Sequence, residues 1–204
     1  MLASGELLEH TWISLQRMFS AALLGGIPAL GIGLAMGLYK KFRLAMEPIV
    51  AATYPIPKSA IFPLLMLIFG LGEESKIAVV AIGVFYPIVV NTAAGVLQID
   101  KVYRDVGHNF RASKLQTFRT IALPGAMPMI MTGINLAVGM ALMLLAVAEM
   151  LGAKSGLGYL IWNSWQTFNV EPMYVGLITI AILGVLASFV IKEIERLIVP
   201  WRNH

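Results

Sequence analysis

The chain has no cysteine, so no disulfide, thiolate metal site or cysteine nucleophile is available to it. Charge is scarce as well. Only 13% of its 204 residues are Asp, Glu, Lys or Arg, against about 25% in a soluble domain, while 58% are hydrophobic and the mean hydropathy is +0.80. This deficit excludes an ordinary soluble enzyme, a disordered tail and a nucleic-acid-binding module, because none of these could hide so much apolar surface from water. Histidine is confined to His10, His108 and His204, which are far apart in sequence, so no metal-ligand set is visible. There is no GxxxxGK[ST] phosphate loop and no paired nucleophile and base. The 15 Lys+Arg against 11 Asp+Glu, with a pI near 9.4, fit basic cytoplasmic loops of a membrane protein rather than a nucleic-acid partner.

Long uncharged runs are what the sequence does have. A bilayer core about 30 Å thick needs roughly 20 apolar helical residues. Met18–Tyr39, Ile77–Ile99, Thr120–Ala148 and Pro172–Ile191 contain no Asp, Glu, Lys or Arg, and Pro48–Gly72 is interrupted only by Lys58. Lipid tolerates only helices or closed barrels, and these Leu/Ile/Ala/Gly-rich runs lack the alternation of barrel strands. The expectation is a single all-α polytopic domain over 1–204 with five transmembrane helices. No cleavable signal peptide is evident, since Glu6 and Glu9 lie in the first ten residues and the first apolar run exceeds a signal core.

Cations report orientation, because cytoplasmic loops hold the excess. Eleven of the fifteen fall after the first run (Lys40, Lys41, Arg43), after the third (Lys101, Arg104, Arg111, Lys114, Arg119) and in the tail (Lys192, Arg196, Arg202). Arg17, Lys76 and Lys154 are left for the other face, which puts the N-terminus outside and the C-terminus in the cytoplasm. An external N-terminus with no preceding helix is awkward to translocate and suggests a further span upstream. Residues 5–17, with Leu8, Trp12, Leu15 and Phe19 at helical spacing, read either as an interfacial helix or as the start of the first span.

The segment from Asp100 to Ala122 is too long and too patterned for a plain connector. Val102, Val106 and Phe110 repeat at four-residue spacing as an apolar stripe among Lys101, Arg104, Asp105 and His108. Ser113-Lys114-Leu115-Gln116 has the form of a capping box and opens a second helix with Leu115 and Phe118 at its apolar edge. Pro124 suits the start of the next helix. Two short helices joined stiffly to a long membrane helix form a lever for a soluble partner. The same basic loop can also be read as an anchor whose cations rest on lipid headgroups.

The loop resembles the signature of bacterial ABC-importer permeases, E-A-A-x3-G-x9-I-x-L-P, with Asp105, Val106 and Gly107 at E-A-A, Arg111 at the glycine, and Ile121, Leu123 and Pro124 at I-x-L-P. Phe110–Gly125 (FRASKLQTFRTIALPG), Met129–Gly133 and Ala148–Trp162 are similar to the nitrate/taurine/sulfonate branch of that superfamily, as are Ile56-Pro57-Lys58, Phe69–Gly72 and Asn91-Thr92. The resemblance implies a type I (MetI-like) importer core in the inner membrane of a prokaryote, most simply as a homodimer. It implies a coupling unit at 101–119 that seats on a cytoplasmic ABC ATPase dimer through Asp105, Val106, Gly107, Arg111, Ala112, Ser113, Phe118, Leu123 and Pro124. It also implies an external or periplasmic substrate-binding protein that delivers nitrate, bicarbonate, taurine or another sulfonate, with small aromatic or vitamin-precursor substrates open beside them. The chain itself would then be no enzyme and carry no cofactor, ATP and Mg residing on the partner. Arg111 departs from the pattern. A glycine between two helices takes the left-handed conformation freely, whereas a residue with Cβ is strained there by about 1 kcal/mol or more, so either the turn differs or Arg111 is strained.

Candidate pathway residues are Tyr54, Pro57, Lys58, Asn91, Asn135 and Glu149. Lys58 follows Tyr54-Pro55-Ile56-Pro57, where two prolines break the helix, and it either draws small anions or snorkels to the interface. Glu149 ends the longest uncharged run and either pairs with Lys154 or meets a binding protein. Tyr54, Asn91 and Asn135 suit a polar path and interhelical hydrogen bonds equally. Gly25, Gly33, Gly37, Gly133 and Gly139 read as packing, and Met127, Met129, Met131, Met140 and Met143 as flexible core. A standalone secondary carrier or channel, with Lys58 and Glu149 as ion-coupling groups, is the competing functional class.

Overall fold

A computed structural model describes residues 5–202, so Asn203 and His204 lie outside the described residues. These residues fold into α1 (Glu6–Leu38), α2 (Lys40–Thr53), α3 (Lys58–Phe69), α4 (Glu73–Leu97), α5 (Lys101–Asn109), α6 (Lys114–Thr117), a π turn (Phe118–Ala122), α7 (Leu123–Gly152), α8 (Leu157–Gln166), α9 (Val170–Ile198) and a closing 3-10 turn (Pro200–Arg202). No strand occurs among them. α1, α4, α9 and the continuous helix Leu115–Gly152 are each long and apolar enough to cross a membrane. The 33 residues of α1 reach about 50 Å, and Glu6 and Glu9 in its first turn complement the helix dipole. The amphipathic stretch 5–17 is continuous with this helix and forms no separate element.

The expected fifth span is divided. α2 and α3 meet at 95° around the Tyr54–Pro57 break, and the 12 residues of α3 cover only about 18 Å. Pro55 and Pro57 remove two N–H donors and disfavour helix in the residues before them, which is why the break falls there.

α4 is the central post, packed by α1 on one side and α7 on the other. Half of its most apolar stretch is buried, against 11% for α9, which lies at the edge with its apolar side chains outward. Small residues set the approach of the helices. Gly25, Gly33 and Gly37 of α1 meet Ala81, Thr92 and Val96 of α4 in the same chain direction, while Gly133 of α7 meets Pro87, Ile88 and Asn91 in the opposite one. A methyl group at these glycines would meet backbone or Cβ atoms of the neighbour, so the spacing depends on them. Ala21, Ala29, Val80, Val84, Val89, Ala141 and Leu144 fill the resulting core. One end of the bundle gathers Arg17, Glu73 and Glu149, and the other gathers the α1–α2 corner and the α5–α6 loop.

Candidate functional site

The α5–α6 unit is built by local capping. The Asp100 carboxylate accepts the Val102 N–H at 2.9 Å and starts α5. Val102, Val106 and Phe110 are exposed at 63%, 45% and 83%, so the apolar stripe is presented outward without a partner in this chain. On the opposite face Gly107 is buried, and Ile121 of the π turn approaches so closely that a Cβ at Gly107 would touch its side chain. The two halves of the signature therefore hold one another, Gly107 under Ile121. Between the helices Arg111 has φ 51°, so the turn keeps the left-handed geometry that a glycine would adopt without strain. Ala112 then donates its N–H to the Gly107 carbonyl at 2.9 Å. The capping box closes in both directions, with Ser113 N–H on Gln116 Oε1 at 2.8 Å and Gln116 N–H on Ser113 Oγ at 3.2 Å.

The π turn was not legible in the sequence. Leu123 N–H reaches back five residues to the Phe118 carbonyl, which inserts one extra residue between α6 and α7. Such wide turns recur at functional sites within long helices. Ala122 is buried below it, while Leu123 and Pro124 are half-buried at the start of α7. Asp105, Arg111 and Ser113 are exposed, and Ala112 and Phe118 line a groove with Leu38, Tyr39, Leu115 and Thr117. The residues of the signature segment are thus brought together at one end of the molecule.

The pathway candidates are not gathered in one cavity. Lys58 is 6% exposed, and its ammonium donates to the carbonyls of Thr53 at 2.8 Å, Tyr54 at 3.0 Å and Ile56 at 2.9 Å. The cation satisfies the backbone that the Pro55–Pro57 break set free. It also lies 4.0 Å from the centroid of the Tyr86 ring, a residue that the sequence did not single out. Tyr54 and Pro57 stand exposed on the outer side of this elbow. Asn91 donates its amide to the Pro87 carbonyl of its own helix at 2.8 Å. Asn135 Oδ1 and Thr92 Oγ1 are buried with no hydrogen-bond partner among the described residues. Lys76 repeats the lysine arrangement at the start of α4, donating to the Leu71 and Gly72 carbonyls.

Glu149 sits at the far end of α7, 1% exposed, and its partner is not Lys154 but Arg17. α1 passes beside the end of α7 and carries Arg17 into range, whereas Lys154 points to the surface. Arg17, 4% exposed, donates to Glu149 Oε1 at 2.7 Å, to the Ser155 carbonyl at 2.7 Å and to both carboxylate oxygens of Glu73. Ser14 Oγ donates to Glu149 at 2.8 Å and accepts the Leu157 N–H at 2.9 Å. Gly158 N–H donates to Glu149 Oε2 at 2.8 Å, and Gly156 N–H donates to His10 Nδ1 at 3.0 Å. Gly156, at φ 111°, places its α-hydrogen where any Cβ would run into the Glu149 carboxylate. The start of α8 is therefore clasped by α1 and α7 together. The charge count places Arg17 on the face opposite the basic loops but gives it no partner, and nothing in the sequence marks α8 as a separate helix.

Comparison with known proteins follows this geometry. Residues 27–200 match the family model described as a binding-protein-dependent transport system inner membrane component. The chain is 34% identical over its whole length to a Bacillus subtilis protein named as an aliphatic sulfonates transport permease, of which it covers 74%. It is 32% identical to the taurine transport system permease protein of Escherichia coli, with 96% of this chain and 71% of that one aligned. A formylaminopyrimidine transport permease protein of Halalkalibacterium halodurans is 33% identical over 85% of this chain and 70% of its own length. In fold, the chain superposes with a TM-score of 0.83 on a chain of a methionine ABC transporter solved in inward facing conformations, at 20% identity and covering 96% of this chain and 97% of that one.

Proposed function

The chain belongs to the family of binding-protein-dependent transport system inner membrane components, and from that premise we propose that it pairs with a second permease copy to form the pathway of an ATP-driven importer for a small oxyanion or organic sulfonate. It is a multi-pass permease subunit of an ABC transporter and not a catalytic one. The names of its sulfonate and taurine relatives support the substrate class. The observation that carries the coupling role is the α5–α6 unit, which presents Val102, Val106 and Phe110 outward and is clamped to α7 through Gly107 and Ile121. A cytoplasmic ATPase dimer that received this apolar stripe would bury it. Asp105, Arg111, Ala112 and Ser113 line the turn, and Phe118, Leu123 and Pro124 connect it to the membrane.

Motion has a direct route inward. Leu115–Gly152 is one continuous helix of 38 residues, so displacement of the loop by closure of the ATPases is carried to α7 without an intervening flexible joint. Nucleotide-driven closure favours one arrangement of the helices over the other, which is all that alternating access requires. Eleven of the fifteen cations lie on the α5–α6 side, which supports a cytoplasmic C-terminus and an external Arg17–Glu149 end. An external binding protein would meet that end.

The test is recovery of partners. The tagged chain is extracted gently from its native membrane, and the proteins that accompany it are identified by mass spectrometry, beside a variant whose Lys101–Arg119 segment is replaced by a Gly/Ser linker. An ABC ATPase present with the wild type and absent with the linker is the expected outcome. No ATPase with the wild type would overturn the reading in favour of a standalone carrier.

A further inference from the structure

Resting on that reading, we propose that the α2–α3 elbow is a way-station for a monovalent oxyanion, in which the hydroxyls of Tyr54 and Tyr86 bind the head group and Lys58 supplies a fixed positive field without touching it.

The position of the elbow comes first. Tyr86 stands at the middle of α4, which spans the membrane from Glu73 to Leu97, so the residues packed against it lie at mid-depth. Lys58 is 4.0 Å from the Tyr86 ring centroid, and the Tyr54 and Tyr86 rings are 5.6 Å apart. The chain breaks at this depth, and Tyr54, Pro55, Ile56 and Pro57 are all exposed in the single chain. Lys58 takes up the freed carbonyls. The exposed Tyr54, however, carries a hydroxyl with no partner among the described residues at a depth where lipid offers no hydrogen bond, which favours protein or a water-filled cavity on this side. On the proposed reading this exposed side of the elbow faces the pathway between the paired subunits.

The charge comes second. Three acceptors at 2.8, 3.0 and 2.9 Å use three N–H donors, which only the protonated amine has. No carboxylate pairs with Lys58 among the described residues, where the ion pairs all involve Arg17. The carbonyl dipoles that hold this cation leave its unit charge uncompensated by any carboxylate, so it projects a positive field into its surroundings. It has no N–H left for a ligand. Its effect on a ligand is therefore through space, and the direct donors must come from neighbours. Tyr54 and Tyr86 are the hydroxyl-bearing side chains ringing it, and neither hydroxyl has a protein partner among the described residues. Two phenol donors before a fixed cation suit a sulfonate, carboxylate or nitrate group, whose oxygens accept while its single charge is balanced. They offer nothing of comparable strength to an uncharged molecule of the same shape.

Saturation-transfer NMR of methanesulfonate and of uncharged dimethyl sulfone, on the purified permease in nanodiscs, tests this without requiring the ATPase. Methanesulfonate should bind saturably and dimethyl sulfone should not. Tyr86→Phe keeps the ring against Lys58 but removes the hydroxyl, and it should weaken methanesulfonate binding about tenfold or more, with yield and thermal unfolding unchanged. Lys58→Gln, where it folds, should erase the discrimination between the two probes, which loosening of the elbow alone would not do. Unchanged methanesulfonate binding in the Tyr54→Phe/Tyr86→Phe double variant, or equal binding of both probes by the wild type, would overturn the proposal. Loss of the ATPase from the purified assembly would instead count against the importer reading, so the two failures are separable.

Discussion

The two ends of α7 are built on opposite principles. At the α8 end Glu149 is buried among Arg17, Ser14 and the amides of α8, and the turn beside it uses a glycine at φ 111° because a side chain would strike the carboxylate. At the α6 end the turn between α5 and α6 is exposed, a non-glycine residue holds the left-handed position at φ 51°, and a π turn joins the loop to the span. One end is over-determined by long-range polar contacts, and the other is held by local caps and one apolar contact. Under the proposed coupling role, a push received at the α6 end would leave the helices in register at the α8 end.

The largest expected effect falls on the buried pair. Arg17→Ala leaves the Glu149 carboxylate, 1% exposed, without its cation and frees the Ser155 carbonyl, so it should cost about 3–5 kcal/mol of stability. Asp105→Ala at the exposed end should change stability by no more than about 0.5 kcal/mol. Denaturation of both variants in matched detergent micelles measures the contrast. Equal stability of the two would show that the Arg17–Glu149 network contributes nothing, and the comparison would collapse.

How much of this could be read beforehand depended on the range of the interactions. The spans were legible because desolvation forbids charge over some twenty residues, a rule that acts on consecutive sequence. The α5–α6 unit was legible for the same reason: Ser113 and Gln116 cap each other three residues apart, and Val102, Val106 and Phe110 need only one helix to align. Glu149 and Ser14 are 135 positions apart, and nothing in either neighbourhood predicts the other. Arg17 could be placed on a face of the membrane but not paired, because its partners come from α4, α7 and the turn before α8. Lys58 stood out as a charge within a span, but the three carbonyls that absorb its donors became visible only once the Pro55–Pro57 break was folded. The π turn left no trace, since one extra residue in a turn hardly disturbs an apolar pattern.

A smaller effect, of opposite sign, is expected at the exposed turn. Arg111→Gly relieves the left-handed strain and should stabilise the loop by about 1 kcal/mol, with retained recovery of the ATPase. Loss of the ATPase in that variant would mean that the guanidinium itself contacts the partner, and the strain would then be the cost of that contact.

The smallest effect sharpens the distinction between local and long-range support. Ser113→Ala removes the acceptor for Gln116 N–H at 3.2 Å and should destabilise α6 by roughly 0.5–1 kcal/mol, the usual range for a lost cap. Ser113 is exposed, so water replaces the hydroxyl and no buried group is orphaned. The effect should remain local. Hydrogen exchange at Gln116 and Thr117 should quicken several-fold while the global unfolding midpoint stays where it was. If the midpoint falls with it, the loop is folded as one cooperative unit with the membrane helices, and the α6 end is less independent than its exposed caps and single apolar clamp imply.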